Sequence, residues 1–140
     1  MQIVAETMSA SATTGEESLV ILIVDDDYAM AESMQDFLEG EGFEVVTAAE
    51  GRAALDRLRR GLRPCVILLD LMMPRMNGWE FRDEQLQDGN LKDIPIVVVS
   101  AFPLDPDARA RLGHVDYVPK PPSLPRLLAA IPRHCGEPLP

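Results

Sequence analysis

The chain predicts an α/β fold: a five-stranded parallel sheet with helices on both faces, doubly wound, its fourth helix short or irregular. Two observations carry this. Short runs rich in β-branched residues, near 19–24, 43–47, 65–69, 94–99 and 115–118, alternate with helix-length segments. Strand alternating with helix implies right-handed crossovers and therefore parallel neighbours. Runs such as Ile96-Val97-Val98-Val99 are also apolar at consecutive positions, as strands covered on both faces are.

The elements follow in order. After the run Leu19–Val24, Asp27 can cap a helix whose Met30, Met34, Phe37 and Leu38 form an i, i+4, i+7, i+8 stripe, and Gly40 and Gly42 stop it. The second helix, near 50–60, is expected to bury Ala54, Leu55 and Leu58. The third, near 77–87, offers Trp79 or Phe81 together with Leu86. Pro103 and Pro106 leave only Asp107–Leu112 free for a fourth. The last starts at Ser123 and is expected to bury Leu124, Leu127, Leu128 and Ile131. Residues 1–18, rich in Ser, Thr, Ala and Glu, are expected to be a flexible tail; 19–133 form one domain and 134–140 a second tail.

A formal net charge of -10 disfavours DNA and anionic membranes as partners, because both recruit Lys/Arg clusters. No run approaches the length of a membrane span, and no basic segment followed by an apolar one marks a secretory signal. Cys65 and Cys135 lie far apart, with Cys65 inside an apolar run. That pattern argues against a disulfide and fits a reducing, cytoplasmic setting. The His134-Cys135 pair lacks the further ligands a metal site needs.

Function concentrates at the strand ends. Asp25-Asp26 follows the first run, Asp70 the third, Ser100 the fourth and Lys120 the fifth. Each has an ordinary reading taken singly: a solvated helix start, a turn hydroxyl, a surface lysine. In doubly wound sheets, however, the carboxyl ends of the strands are where ligands bind. Three carboxylates converging within roughly 5 Å repel by about 3 kcal/mol per pair at an effective dielectric near 20. A divalent cation reverses that sign, and oxygen ligands with room for water suit Mg2+. A carboxylate is also a nucleophile toward phosphorus when a metal and further donors neutralise the phosphoryl oxygens.

These residues resemble a known family. The segments ILIVDDD at 21–27, ILLDLMMPRMNGWEF at 67–81, VVVSA at 97–101 and YVPKP at 117–121, in that order, resemble the receiver domain of bacterial two-component response regulators, with its flavodoxin-like fold. The resemblance implies a switch rather than an enzyme, one that catalyses only its own phosphorylation and dephosphorylation. Asp70 would accept a phosphoryl group from a histidine kinase or phosphotransfer protein. Asp25, Asp26, Asp70 and the backbone carbonyl of Met72 would hold Mg2+. Ser100 and Lys120 would meet the phosphoryl oxygens, the small Ala101 would leave them room, and Tyr117 would be the aromatic switch. The Lys120–Pro121 bond would be cis, and output would pass by protein contact to a target the sequence does not name.

Some positions depart from the family. Met72 and Phe102 are bulky and apolar where they flank the water's route to the acyl phosphate, so they are expected to slow its hydrolysis. The Ser100-to-Lys120 interval is short, which argues against the common symmetric dimer on the fourth helix, fifth strand and fifth helix. Two other readings compete. One is a receiver-fold adaptor that works without phosphorylation. The other is a haloacid-dehalogenase-type phosphatase with Asp25 as nucleophile and Asp27 as acid, which leaves the DLMMPRMNG segment without a purpose.

Overall fold

A computed structural model of the protein describes residues 19–131 and Cys135. Five strands, β1 (Val20–Val24), β2 (Glu44–Ala48), β3 (Val66–Leu69), β4 (Ile96–Ser100) and β5 (Asp116–Pro119), alternate with helices α1 (Tyr28–Gly40), α2 (Gly51–Arg59), α3 (Gly78–Gln87), α4 (Pro106–Leu112) and α5 (Leu124–Ala130). The strands form one sheet in the order β2-β1-β3-β4-β5, every pair parallel. The order reverses beside β1, so the switch point lies between β1 and β3, where Val24 pairs with Leu69.

Alternate residues of the strands feed two cores. Ile21, Ile23, Val66, Leu68, Val97 and Val99 meet Met34 and Leu38 of α1 and Leu127 of α5. Leu22, Val24, Ile67, Leu69 and Val98 meet Leu55 and Leu58 of α2, Phe81 of α3 and Leu112 of α4. This explains why the sequence shows unbroken apolar runs: with a layer on each face, neither side chain orientation reaches water.

The helix boundaries follow local chemistry. Asp27 caps α1, accepting from the Met30 amide at 3.1 Å, and Gly42 takes φ 101° just beyond its end. Asn77 and Glu80 form a reciprocal capping box at α3, at 2.9 and 3.0 Å. Asp105 caps α4 with Pro106 in its first turn, so the helix is held to 7 residues. Ser123 caps α5.

Two expectations are corrected. On α3 the buried side chains are Phe81, Arg82 and Gln85, while Leu86 is 40 % exposed. The polar pair lies inward because it serves backbone groups: Arg82 donates to the Leu112 carbonyl at 2.7 Å, and Gln85 donates to those of Leu91 and Ile94 at 2.9 and 3.0 Å. The second correction concerns the cysteines. Cys65 and Cys135 are joined in a disulfide, their Cα atoms 5.1 Å apart. The Cys135 amide donates to the Ile131 carbonyl at 3.0 Å, and Cys135 lies in the core cluster that Cys65 packs against. The tail expected at 1–18, and that at 134–140 apart from Cys135, lie outside the described residues. No helix among the described residues is long and apolar enough to cross a membrane.

Candidate functional site

The strand ends expected to carry chemistry are neighbours. Those of β1, β3, β4 and β5 lie side by side in the sheet, bringing Asp25, Asp70, Ser100 and Lys120 to one edge. Backbone bonds continue the ladder past the strands: the Asp70 amide donates to the Val24 carbonyl at 2.9 Å, and the Lys120 amide to that of Ser100 at 2.9 Å.

Asp25, Asp26 and Asp70 each offer a carboxylate oxygen within 4.8 Å of the others, with Asp25 and Asp70 buried and Asp26 exposed. The Lys120 ammonium lies 2.9 Å from Asp25 Oδ2 and 3.5 Å from Asp70 Oδ2. The other oxygens are held locally: Asp25 Oδ1 accepts from the Asp27 amide at 2.9 Å, and Asp70 Oδ1 from the Met72 amide at 3.3 Å. Asp25 Oδ2 is buried, and its partner is that Lys120 ammonium. Three acids with one exposed member fit a hard divalent ion that keeps water.

The electrostatics are those of a site under tension. Burial raises the Asp70 pKa first, and the charge of Asp25 adds to it; Lys120 and the Met72 amide pull the other way without cancelling the rise. Burial works to lower the pKa of Lys120, but its hydrogen bond to Asp25 and the charges of Asp25 and Asp70 outweigh that and leave it raised. The ammonium is therefore kept charged where a phosphoryl oxygen would need it.

The loop after β3 is shaped by Gly78. A Cβ there would collide with the Asp70 carbonyl and the Leu71 Cα, and the Gly78 amide donates to the Leu71 carbonyl at 3.1 Å. Only glycine lets α3 start this close to the strand end. Ser100 is fully buried, and its hydroxyl accepts from the Phe102 amide at 3.1 Å. The Tyr117 hydroxyl reaches the carbonyls of Phe102 at 2.9 Å and Ser100 at 3.3 Å, tying β5 to the loop after β4. Ala101 is exposed, and the Lys120–Pro121 bond is cis. Three large apolar side chains stand in solvent within a few residues of the acids or Ser100: Tyr28, Met72 and Phe102, at 79 %, 54 % and 49 % exposure. Tyr28 did not stand out in the sequence, because exposure of a single aromatic leaves no periodic signal.

This arrangement defines a class. The family described as the response regulator receiver domain matches residues 21–132, and the chain belongs to it. It is similar to the polar-differentiation response regulator DivK of Brucella anthropi, 34 % identical over 119 residues that cover 84 % of this chain and 96 % of DivK. It is 41 % identical over 111 residues to the response regulator MprA of Mycolicibacterium vanbaalenii, covering 78 % of this chain and 47 % of MprA. Among solved structures, the chemotaxis protein CheY4 of Vibrio cholerae superposes with a TM-score of 0.76 at 29 % identity, over 84 % of this chain and 98 % of that one. Members of this family are generally signalling switches rather than enzymes.

Proposed function

We propose that the protein is a phosphorylation-activated switch. Asp70 accepts a phosphoryl group from the phosphohistidine of a histidine kinase or phosphotransfer protein, and the phosphorylated domain acts by protein contact. The observation that carries this reading is the convergence of Asp25, Asp26 and Asp70 within 4.8 Å with the Lys120 ammonium against two of them.

In the transfer, an Asp70 oxygen attacks phosphorus, the P–O bond forms as the P–N bond breaks, and the imidazole leaves with the bonding pair. Lys120 pairs with a phosphoryl oxygen, and the Ser100 hydroxyl, released from the Phe102 amide, donates to another. Asp25, Asp26, Asp70 and the Met72 carbonyl would hold Mg2+, which would supply positive charge to neutralise the phosphoryl oxygens. Tyr117 responds to the movement of Ser100, because its hydroxyl contacts the carbonyls on either side of that loop. The exposed Tyr28, Met72 and Phe102 give the partner an apolar rim to dock on.

Labelling with a small acyl phosphate in Mg2+ tests this. Asp70→Asn is expected to abolish incorporation. If Asp25→Asn abolishes it while Asp70→Asn does not, the acceptor is misassigned and the phosphatase reading gains. An absence of labelling in a protein whose Trp79 fluorescence still responds to Mg2+ would favour the phosphorylation-independent adaptor.

A further inference from the structure

We propose that Cys65 and Cys135 form a reversible thiol–disulfide site, a second input to the domain at the end of β3 opposite Asp70. Cys65 sits immediately before β3 and Asp70 immediately after it, so the four-residue strand separates the two chemistries. The proposal stands independently of the phosphoacceptor reading.

Three observations carry it. The backbone already holds the two residues at bonding range, their Cα atoms 5.1 Å apart, within the ordinary span for a disulfide. The site also accommodates the reduced form: Cys65 Sγ lies 3.4 Å from the Val20 carbonyl oxygen, which is positioned to accept from a thiol. The same carbonyl takes the Cys65 amide at 2.9 Å, so β1 anchors the Cys65 backbone by a bond that does not depend on the disulfide. Finally, access is unequal. Cys135 is 4 % exposed, whereas Cys65 is half-buried, so reagents enter through Cys65.

The chemistry balances with a small-molecule disulfide of the glutathione class as oxidant. The Cys65 thiolate attacks one of its sulfurs and expels a thiolate, leaving a mixed disulfide. The Cys135 thiolate then attacks the Cys65 sulfur and expels the second. Two electrons pass from the protein to the reagent, and the two protein protons end on the released thiols. A small dithiol reverses the sequence.

The structural consequence falls on the chain after α5. Oxidation ties Cys135 covalently to the residue before β3; reduction leaves Cys135 held by packing and by its amide bond to Ile131. Phosphorylation would thus be read at the carboxyl end of the sheet, and thiol oxidation at its amino end.

The test uses the full chain without denaturant. It is equilibrated in glutathione buffers of graded oxidation, quenched with N-ethylmaleimide and weighed intact. The expected result is smooth interconversion between a dithiol carrying two maleimides and a disulfide carrying none. Hydrogen exchange at the Cys135 amide should rise about tenfold or more on reduction, with the Trp79 response to beryllofluoride unchanged. The proposal is overturned if the protein stays a dithiol, or forms only glutathione adducts, at every ratio. It is equally overturned if excess dithiothreitol leaves the bond intact, or if the Cys135 amide exchanges alike in both forms.

Discussion

The disulfide makes a strong prediction about stability. It closes a loop with a sequence separation of 70, running from the base of β3 through α3, β4, α4, β5 and α5. Confining the unfolded chain to such a loop removes about 15 cal/mol/K of its entropy, which is about 4.4 kcal/mol at 25 °C in the chain-entropy treatment. Native disulfides commonly deliver 2–4 kcal/mol of such a ceiling, or roughly that range. For roughly 115 folded residues unfolding with about 2.1 cal/mol/K each, 2–4 kcal/mol corresponds to a drop in Tm on the order of 10–15 °C. The assay is urea denaturation followed by Trp79 fluorescence, comparing the oxidised wild type, the wild type in dithiothreitol, and Cys65→Ser. The latter two should lose similar amounts, because both lose the cross-link while changing little else. A loss below about 1 kcal/mol in dithiothreitol would refute the entropy argument, as would a Cys65→Ser cost that persists undiminished against the reduced wild type.

The site yields further expectations. Gly78→Ala should destabilise by about 2–3 kcal/mol, since the new Cβ meets backbone at Asp70 and Leu71 rather than a side chain that can turn away; urea midpoints measure it. Asp70 has its folded pKa above the ordinary 3.8, so its contribution to stability is full below 3.8 and is lost as pH rises through the folded value. Asp70→Asn should therefore be more stable than wild type at pH 7 without Mg2+, and the advantage should vanish as pH falls below 3.8, read from urea midpoints across pH. Met72→Asn with Phe102→Glu should speed decay of the phosphorylated protein several-fold, measured by loss of label; an unchanged rate would show that these exposed side chains do not shield the acyl phosphate. With α4 held to 7 residues, light scattering should show no rise in mass on adding beryllofluoride.

What was legible in the sequence follows from periodicity and strand ends. Strands buried on both faces must be apolar throughout, so each polar residue that terminates a run marks an edge, and a parallel sheet aligns those edges by construction. This is why Asp25, Asp70, Ser100 and Lys120 were readable as neighbours before any distance was known. The helix starts were readable for a similar reason: Asp27 and Ser123 supply local acceptors whose effect depends on residues two or three positions away. The cysteine pair was not readable, because it depends on where Cys135 and α5 land relative to β3. Their placement is set by packing on α1 and the sheet, at long range.

Helix α3 shows why the remainder resisted reading, and why it matters to the site. Its inward positions include Arg82 and Gln85, which break the apolar stripe and push a periodicity argument one residue off, onto Leu86. The polar choice is the stable one. Leucine at Gln85 would strip the side-chain donor from both carbonyls; Leu91 keeps the Ile94 amide at 3.1 Å, so the cost of about 1–3 kcal/mol falls on the Ile94 carbonyl. Those carbonyls belong to the segment that leads into β4, the strand ending in Ser100. Arg82, whose pKa burial lowers, grips the Leu112 carbonyl at 2.7 Å, at the end of α4 and just ahead of β5, the strand that leads to Lys120. At its other end α3 begins against the backbone of Asp70 through Gly78. One helix thus touches the acceptor at its start and, with its buried polar residues, the approaches to the two strands that present the hydroxyl and the ammonium. A sequence pattern that weakens the helix as an amphipathic element strengthens it as the part that assembles the site.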